Sequence, residues 1–375
     1  MRHKSEIAPL TGLRAAAAIY VFLFHMSRWP YFPDGFVSNV IGQGAVGMSI
    51  FFVLSGFVLT YQYEGQVFDA RQYFVNRLAR IYPVYVLCAI LTSVWIGIPL
   101  YGATHAEMLH NVVKIGVIVT SNVFLIQGWF PSFFNYWNDG GSWSISVEAF
   151  LYLTLPVLLP WLVRLGKRTL LIVIAIAYVA AILPGIVYVL WNDMPFPVYY
   201  AMPIFRLPEF VIGACACIAF KRRWIPGPAA RMTMWVTLVI ATIFYLGKMG
   251  SRLPGYTVHD WIIIPTVAMT IVTFSSSEGL FARIAGAAPF VWLGEISYCI
   301  YSLQAFIIMP LIRHREQIVS HIPALGNNAV LLLAATAILI TASGVCHHLV
   351  EEPARRWLKR RFASTASATR TMVGS

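Results

Sequence analysis

Charged residues are scarce in this 375-residue chain, where Asp, Glu, Lys and Arg make up 11% against 59% hydrophobic residues. With a mean hydropathy of +0.71, the chain has too little polar surface for a water-soluble globule. Its apolar runs reach the ~20 residues that a membrane-spanning helix needs. We therefore predict an all-α, polytopic helix bundle in the lipid bilayer, located in the inner (plasma) membrane of the cell.

Acidic residues are the scarcer charged type, with 15 Asp and Glu against 27 Lys and Arg. The basic residues stand in short clusters between apolar runs, which indicates membrane topology and argues against a nucleic-acid partner. The cysteines also lack the spacing that is typical of metal ligands or of a disulfide framework. They lie singly or in pairs within apolar stretches, as small core residues do. We expect no metal. These cysteines are Cys88, Cys215, Cys217, Cys299 and Cys346.

Apolar segments and basic clusters together predict the threading of the chain. We predict about ten transmembrane helices, at 8–28, 42–62, 78–100, 143–163, 169–191, 198–220, 232–249, 257–275, 289–311 and 326–350. Nearly all basic clusters then lie on the cytoplasmic side, together with both termini.

Residues 112–130 are apolar too, but a crossing there would put the later clusters on the wrong side. We predict that they are re-entrant or lie along the outer face, where protein or water covers the backbone. They fall within an outward insertion at 101–142. The rest of 1–361 forms a single membrane domain, and 362–375, rich in Ser, Thr and Ala, is a disordered cytoplasmic tail.

The first span carries two ionisable residues, Arg14 and His25, inside its apolar run. At ~100° and ~1.5 Å per residue they lie about 20° apart around the helix and ~16.5 Å apart along it. Ionisable groups within a span usually face a bundle interior or a wet cavity. One interpretation is a shared pocket. The other is that both are structural, reaching the headgroups or contacting neighbouring helices.

Three further sets of polar residues accompany these spans. Arg77 and Arg80, one turn apart at the cytoplasmic end of the third span, suit phosphate binding, or are ordinary topology anchors. Glu148 lies ~7.5 Å inside the fourth span, a depth comparable to that of His25, and either pairs with the imidazole or forms a helix–helix hydrogen bond. In the sixth span, two opposite charges three positions apart can satisfy each other or serve a site. They are Arg206 and Glu209.

A set of short motifs in a fixed order resembles the acyltransferase 3 family of integral membrane O-acyltransferases. The resemblance covers residues 8 to about 358 and is specific as a set, although each motif alone is weak. The motifs are LxxLR at Leu10–Arg14, GxxxFFVLSGFV at Gly47–Val58, NRxxRIYP at Asn76–Pro83, WSISVE at Trp143–Glu148, RLPEF at Arg206–Phe210, LGEISYCIYSLQ at Leu293–Gln304 and EEPARRW at Glu351–Trp357.

The resemblance implies transfer of an acyl group, commonly acetyl from acetyl-CoA, to a hydroxyl of a carbohydrate such as a cell-surface polysaccharide, a lipopolysaccharide or a glycolipid. It implies that Arg14 and His25 are the signature pair and that Arg77 and Arg80 contact the donor's phosphates. With Glu148 added, the predicted catalytic residues are His25, Glu148 and Arg14. The predicted donor-binding residues are Arg77, Arg80 and Arg14, and the predicted substrate-binding residues are Arg206, Glu209, Trp143, Tyr298 and Gln304.

Two departures from relatives bear on this expectation. Gln304 stands where many relatives carry a histidine, and we expect no appended extracytoplasmic esterase-like domain. His25, oriented by Glu148, would either deprotonate the sugar hydroxyl or carry the acyl group as an acyl-imidazole. An acyl shuttle that supplies a separate transferase is an alternative. A transporter would instead predict inverted repeats and paired broken helices, and the sequence has no such symmetry. The sugar, the acyl chain length and the oligomeric state stay open.

Overall fold

The fold is taken from a computed structural model of the chain. It describes residues 7–27, 34–93, 98–99, 104–134, 136, 142–191, 196–253, 255–277 and 279–362. The predicted tail at 362–375 lies outside these residues except for Phe362.

The described residues form an all-helical bundle, which confirms the predicted fold class. The longer helices are α1 Ala8–Ser27, α3 Gly47–Tyr63, α4 Ala70–Thr92, α5 His105–Val123, α6 Trp143–Leu162, α7 Lys167–Trp191, α9 Pro203–Lys221, α10 Pro228–Met249, α11 Asp260–Ser275, α14 Ser297–Arg313 and α16 Asn328–Cys346. The shorter ones are α2 Phe36–Ile41, α8 Phe196–Ala201, α12 Leu280–Ala285, α13 Ala288–Glu295, α15 Arg315–His321 and α17 Glu352–Phe362, with a π-helical turn at His347–Glu351 between α16 and α17.

Within the described ranges, nine helices or joined helices are long and apolar enough to cross a membrane, and the bent pair α13–α14 makes ten. Each corresponds to one predicted span. The third was placed too far along the chain: α4 begins at Ala70, where the Asp69 side chain accepts a hydrogen bond from the backbone N–H of Gln72. The prediction considered only the apolar residues. The helix, however, begins before them, includes the arginines of its first turns and starts at the N-cap residue Asp69.

Helix α1 lies at the centre of the bundle, where it packs against α3, α13 and α14. The approach of α13 is close, because a β-carbon at Gly294 would lie 1.9 Å from the carbonyl oxygen of Thr11. Directly after this contact the chain bends by 63° between α13 and α14. The bend turns α14 along the same face of α1 that carries His25, so that Gln304 of α14 reaches the imidazole.

A second close crossing joins α3 and α9. A β-carbon at Gly56 would lie 2.0 Å from the carbonyl oxygen of Phe210, and one at Gly213 would lie 1.9 Å from that of Val53. Small residues at both positions let the two backbones touch, which is how helices associate in a membrane without a hydrophobic driving force. This crossing fixes α9, and with it Arg206 and Glu209, against the core.

The segment before α6 contains α5, which starts with a capping box between Thr104 and Glu107 and is not among the candidate spans. After α5 the chain turns back at Gln127–Trp129 and packs against the start of α6. The Gln127 amide donates to the Ser142 carbonyl oxygen at 2.7 Å. The first turn of α6 is therefore covered by protein. Whether α5 lies along the outer face, as predicted, stays a prediction.

Candidate active site

Three arginines and two carboxylates face one another between α1, α4, α6 and the end of the last span. Arg14 interacts electrostatically with Arg80, Glu148 and Glu351. Its guanidinium is surrounded by protein, although the residue is partly exposed to solvent. Arg77 lies one turn from Arg80 on α4, with its guanidinium 5.8 Å from the Tyr152 ring centre. We call these five charged residues, Arg14, Arg77, Arg80, Glu148 and Glu351, the arginine cluster.

The cluster carries more positive than negative charge. Its three guanidinium groups face only two carboxylates, and all three arginines are partly exposed. The Nε atom of Arg77 is buried there without a hydrogen-bond partner among the described residues. An excess of guanidinium donors in a low-dielectric setting favours an anionic ligand, and phosphate oxygens fit the fork of an arginine.

Glu351 is fully buried and held by hydrogen bonds in the π-helical turn. Its Oε2 atom lies 2.9 Å from Nδ1 of His347 and accepts from Sγ of Cys299 at 3.3 Å. The three donor types could also ligate a metal ion, a grouping that the sequence spacing did not reveal. Both contacts use Oε2, whereas Oε1 is buried without a hydrogen-bond partner among the described residues. The carboxylate also interacts electrostatically with Arg80. The π-helical turn thereby holds the Glu351 carboxylate in place within the arginine cluster.

His25 lies at the other end of α1 and has a different environment. Its Nδ1 atom is 3.3 Å from Oε1 of Gln304, and its ring is tilted against Phe24 at 5.0 Å. In the tautomer with the proton on Nδ1, the imidazole donates to the amide oxygen and Nε2 is left as the basic nitrogen. His25 is partly exposed, whereas Gln304 is buried. The amide therefore orients a histidine that an external group can reach.

The predicted direct pairing of Glu148 with His25 is wrong. Glu148 accepts a hydrogen bond from the Tyr152 hydroxyl at 3.1 Å and interacts electrostatically with Arg14. Helix α6 begins at Trp143 as predicted, but its residues were counted along one helix only, whereas the part of α1 that Glu148 meets depends on how the helices pack. Glu148 consequently reaches the level of Arg14, and Gln304 is the hydrogen-bond partner of His25.

The remaining predicted site residues fall into separate places. Tyr298 lies beside the arginine cluster, because its hydroxyl donates to the Ile81 carbonyl oxygen at 2.7 Å and is close to Glu148. Trp143 is buried against Tyr200, with ring centres 4.8 Å apart. From there the aromatic contacts continue through Tyr256 to Phe24 and so to His25.

Arg206 and Glu209 form a buried ion pair of their own. The Nη1 atom of Arg206 lies 2.7 Å from Oε1 of Glu209 and 3.8 Å from Asp260, and Nε donates to the Tyr200 carbonyl oxygen. Their side chains are 3% and 1% exposed. Because the two charges pair with each other inside the core, this geometry favours a structural role, and their contact with an acceptor stays a prediction.

A family model described as an acyltransferase domain matches residues 7–348. The chain belongs to the acyltransferase 3 family. It is an enzyme of this family and a multi-pass protein of the cytoplasmic membrane. No solved structure matches the chain.

Several curated proteins are similar to this acyltransferase. The acyltransferase MdmB of Streptomyces mycarofaciens is 26% identical over 95% of the chain and 93% of its own length. The putative peptidoglycan O-acetyltransferase YrhL of Bacillus subtilis is 24% identical over 96% of the chain. The peptidoglycan O-acetyltransferase OatA of Listeria monocytogenes is 26% identical over 80% of it. The chain spans only 57% and 49% of these last two relatives.

Sequence reasoning missed two members of this acyltransferase's site. Tyr152 follows Glu148 by four residues and so shares its helix face, a spacing that could have predicted their hydrogen bond. Glu351 was noted within the EEPARRW motif but was not singled out. An acidic residue at the end of an apolar span, next to a basic cluster, is an ionisable group that needs a partner, and Arg80 supplies an opposite charge.

Proposed function

We propose that this acyltransferase moves an acyl group, in the first instance acetyl, from cytoplasmic acyl-CoA to a carbohydrate hydroxyl at the outer side of the membrane. The observation that supports the proposal most is the arrangement along α1. Arg14 lies in a cluster with excess positive charge, and His25 lies ~16.5 Å further along the same helix beside Gln304. A donor that is anionic at one end and carries a thioester at the other fits this separation.

The residues present suit acyl-CoA. Arg77 and Arg80 would contact the diphosphate of the donor, together with Arg14. Such contacts depend on the relative orientation of the two groups, and an arginine guanidinium can donate two parallel N–H···O hydrogen bonds to one phosphate. The thioester end supplies an activated acyl carbon, and the arginines hold only the far end of the molecule.

In the direct route, Nε2 of His25 accepts the proton of the sugar hydroxyl as the oxygen attacks the thioester carbonyl carbon. The new C–O ester bond forms, the C–S bond breaks, and the CoA thiolate takes up a proton as it leaves. In the relay route, Nε2 first attacks the thioester carbonyl carbon, the C–S bond breaks and CoA leaves as the thiolate. The sugar hydroxyl then attacks the acyl-imidazole, the C–N bond breaks as the C–O ester bond forms, and the hydroxyl proton passes by way of the released imidazole to the thiolate. The Gln304 amide serves both routes, because it engages Nδ1 and thereby makes Nε2 the basic nitrogen.

The acceptor class comes from the relatives. Two of them bear the name peptidoglycan O-acetyltransferase, which makes peptidoglycan sugars one candidate beside other surface polysaccharides, lipopolysaccharide and glycolipids. The shuttle alternative differs only in the last step, since the acyl group would pass to a second protein.

Reconstitution of the purified protein in liposomes separates these possibilities. Acetyl-CoA is added on one side with peptidoglycan precursors or glycolipids on the other, and acylated acceptor is measured by mass spectrometry. We expect acylated acceptor from the wild type and none from a folded His25→Ala variant. Thioester cleavage without acylated acceptor would favour the shuttle, and a His25→Ala variant with wild-type turnover would refute the proposal.

A further inference from the structure

The last helix, α17, continues the final span with a strongly basic sequence. It carries five basic residues within Glu352–Phe362: Arg355, Arg356, Lys359, Arg360 and Arg361. One side of the helix packs against α4, the helix that carries Arg77 and Arg80. Most of these basic residues are exposed, as expected of anchors at a membrane surface. Arg355 differs from them, because it is only partly exposed.

Two pairs of neighbouring side chains fix the register of the end of the last span against α4. The Cys346 thiol lies near the Cys88 thiol, and five residues later the Glu351 carboxylate lies near Arg80. The two helices therefore run in opposite directions, so that residues after Glu351 lie beside residues before Arg80. Arg355 is one turn beyond Glu351, about 6 Å along the helix. This places Arg355 at the level of Arg77 or one turn nearer the start of α4 at Ala70.

The surroundings of Arg355 leave its guanidinium available. With Ala354 and Leu358 it belongs to the partly covered side of α17. No hydrogen bond or ion pair engages it within the described part of the chain, although its charge interacts with that of Glu352. The neighbouring Arg356, by contrast, is ion-paired with Glu352. Arg355 thus extends the arginine cluster outward, toward the end at which α4 begins.

We propose that Arg355 binds the 3′-phosphate on the ribose of acyl-CoA, at the entrance to the donor site. This inference rests on the proposed function, because it requires acyl-CoA as the donor. Coenzyme A carries anionic charge at two places, a diphosphate and a ribose 3′-phosphate. Arg77 and Arg80 match the first, and a further cation about one turn outward matches the second. Arg355 then makes the site specific for CoA thioesters over thioesters that lack this phosphate.

Acetyl-CoA and 3′-dephospho-acetyl-CoA differ only at the group in question, so the pair tests the contact directly. We measure KM and equilibrium binding for both donors with the full-length protein in detergent, for wild type, Arg355→Gln and Arg361→Gln. A charge-assisted contact of the usual strength corresponds to about 10- to 100-fold in affinity. We expect the wild type and Arg361→Gln to prefer acetyl-CoA by this factor. We expect Arg355→Gln to bind both donors within about twofold of each other.

The dephospho donor also serves as the internal control for folding. If the proposal is right, Arg355→Gln binds it as tightly as the wild type does, and Arg355→Lys recovers part of the preference. Equal weakening of both donors by Arg355→Gln, or a wild type without preference, overturns the 3′-phosphate contact while acyl-CoA remains the donor. If the wild type neither binds nor cleaves either thioester, the proposed function itself fails.

Discussion

The hydrogen bond between His25 and Gln304 predicts a graded response to substitution at Gln304. The bond joins α1 to α14 across 279 residues of sequence, and at 3.3 Å it is at the long end of the range for such contacts. Gln304→Ala removes the acceptor for Nδ1 but leaves Nε2, the nitrogen that meets the hydroxyl. Gln304→Glu keeps the shape and places a carboxylate beside the ring.

The expected magnitudes follow from what each substitution removes. A neutral hydrogen bond contributes about 0.5–1.5 kcal/mol, so Gln304→Ala should lower kcat by about 2- to 10-fold. Loss of the base itself costs ~10²–10⁴ in rate, which is the range for His25→Ala. Gln304→Glu stabilises the protonated imidazole. Because the histidine acts as a base only when neutral, the acid limb of the rate profile should move to higher pH.

The assay is acetyl transfer in liposomes across a pH series, with each variant's thermal stability measured in parallel. Leu303→Ala, next to Gln304 and also buried, is the matched control, because it leaves a cavity of side-chain size without touching the bond. It should lower stability without moving the acid limb. A 10²-fold or larger loss in Gln304→Ala, or an unshifted profile in a folded Gln304→Glu protein, would refute the positioning role.

Three other predictions test the remaining parts of the structure. In a cysteine-free background, Thr104→Cys and Ser132→Cys should both react with an impermeant thiol reagent added outside, and labelling of only one would mean that the intervening segment crosses. Glu148→Gln should lower the KM for acetyl-CoA and leave the acid limb of the rate–pH profile in place, because Glu148 competes with the donor's phosphate for Arg14. A 10²-fold loss of kcat would instead tie Glu148 to His25. Gly213→Ala should cost about 1–3 kcal/mol of stability by overpacking. Gly116→Ala should not destabilise the protein, because a β-carbon there would have no atom within 4 Å. Equal unfolding temperatures of the two variants would contradict the close crossing of α3 and α9.

The spans could be predicted from the sequence because each depends on a local property. An apolar run of about twenty residues is long enough to cross a bilayer, and all ten segments predicted as spans correspond to candidate spans. The start of α4 could not be predicted in this way, because its first turns are polar and the helix begins at the N-cap residue Asp69. The continuation of the last span into α17 could not be predicted for the same reason, because its charged residues do not have the composition of a span.

The partners within the site could be predicted only in part. Arg14 and Arg80 were expected on the same side, and the structure brings them together. Glu148 was assigned to His25 because depth was counted along one helix, and nothing in the sequence shows which part of α1 the neighbouring helix α6 meets. Gln304 meets His25 only because the chain bends by 63° after Gly294 packs on α1. Such a bend arises from tertiary packing and leaves no periodic signal.

The corrected pairings assign separate tasks to the two ends of α1. A carboxylate beside His25 would have made it a stronger base but would also have drawn negative charge toward the place where an oxyanion forms. The neutral Gln304 orients the ring without that repulsion, and Glu148 instead tempers the repulsion between Arg14 and Arg80. Like charges so close in a low-dielectric interior are costly unless countered. The two carboxylates of the arginine cluster therefore make it stable before a donor arrives, while its remaining positive charge still attracts one.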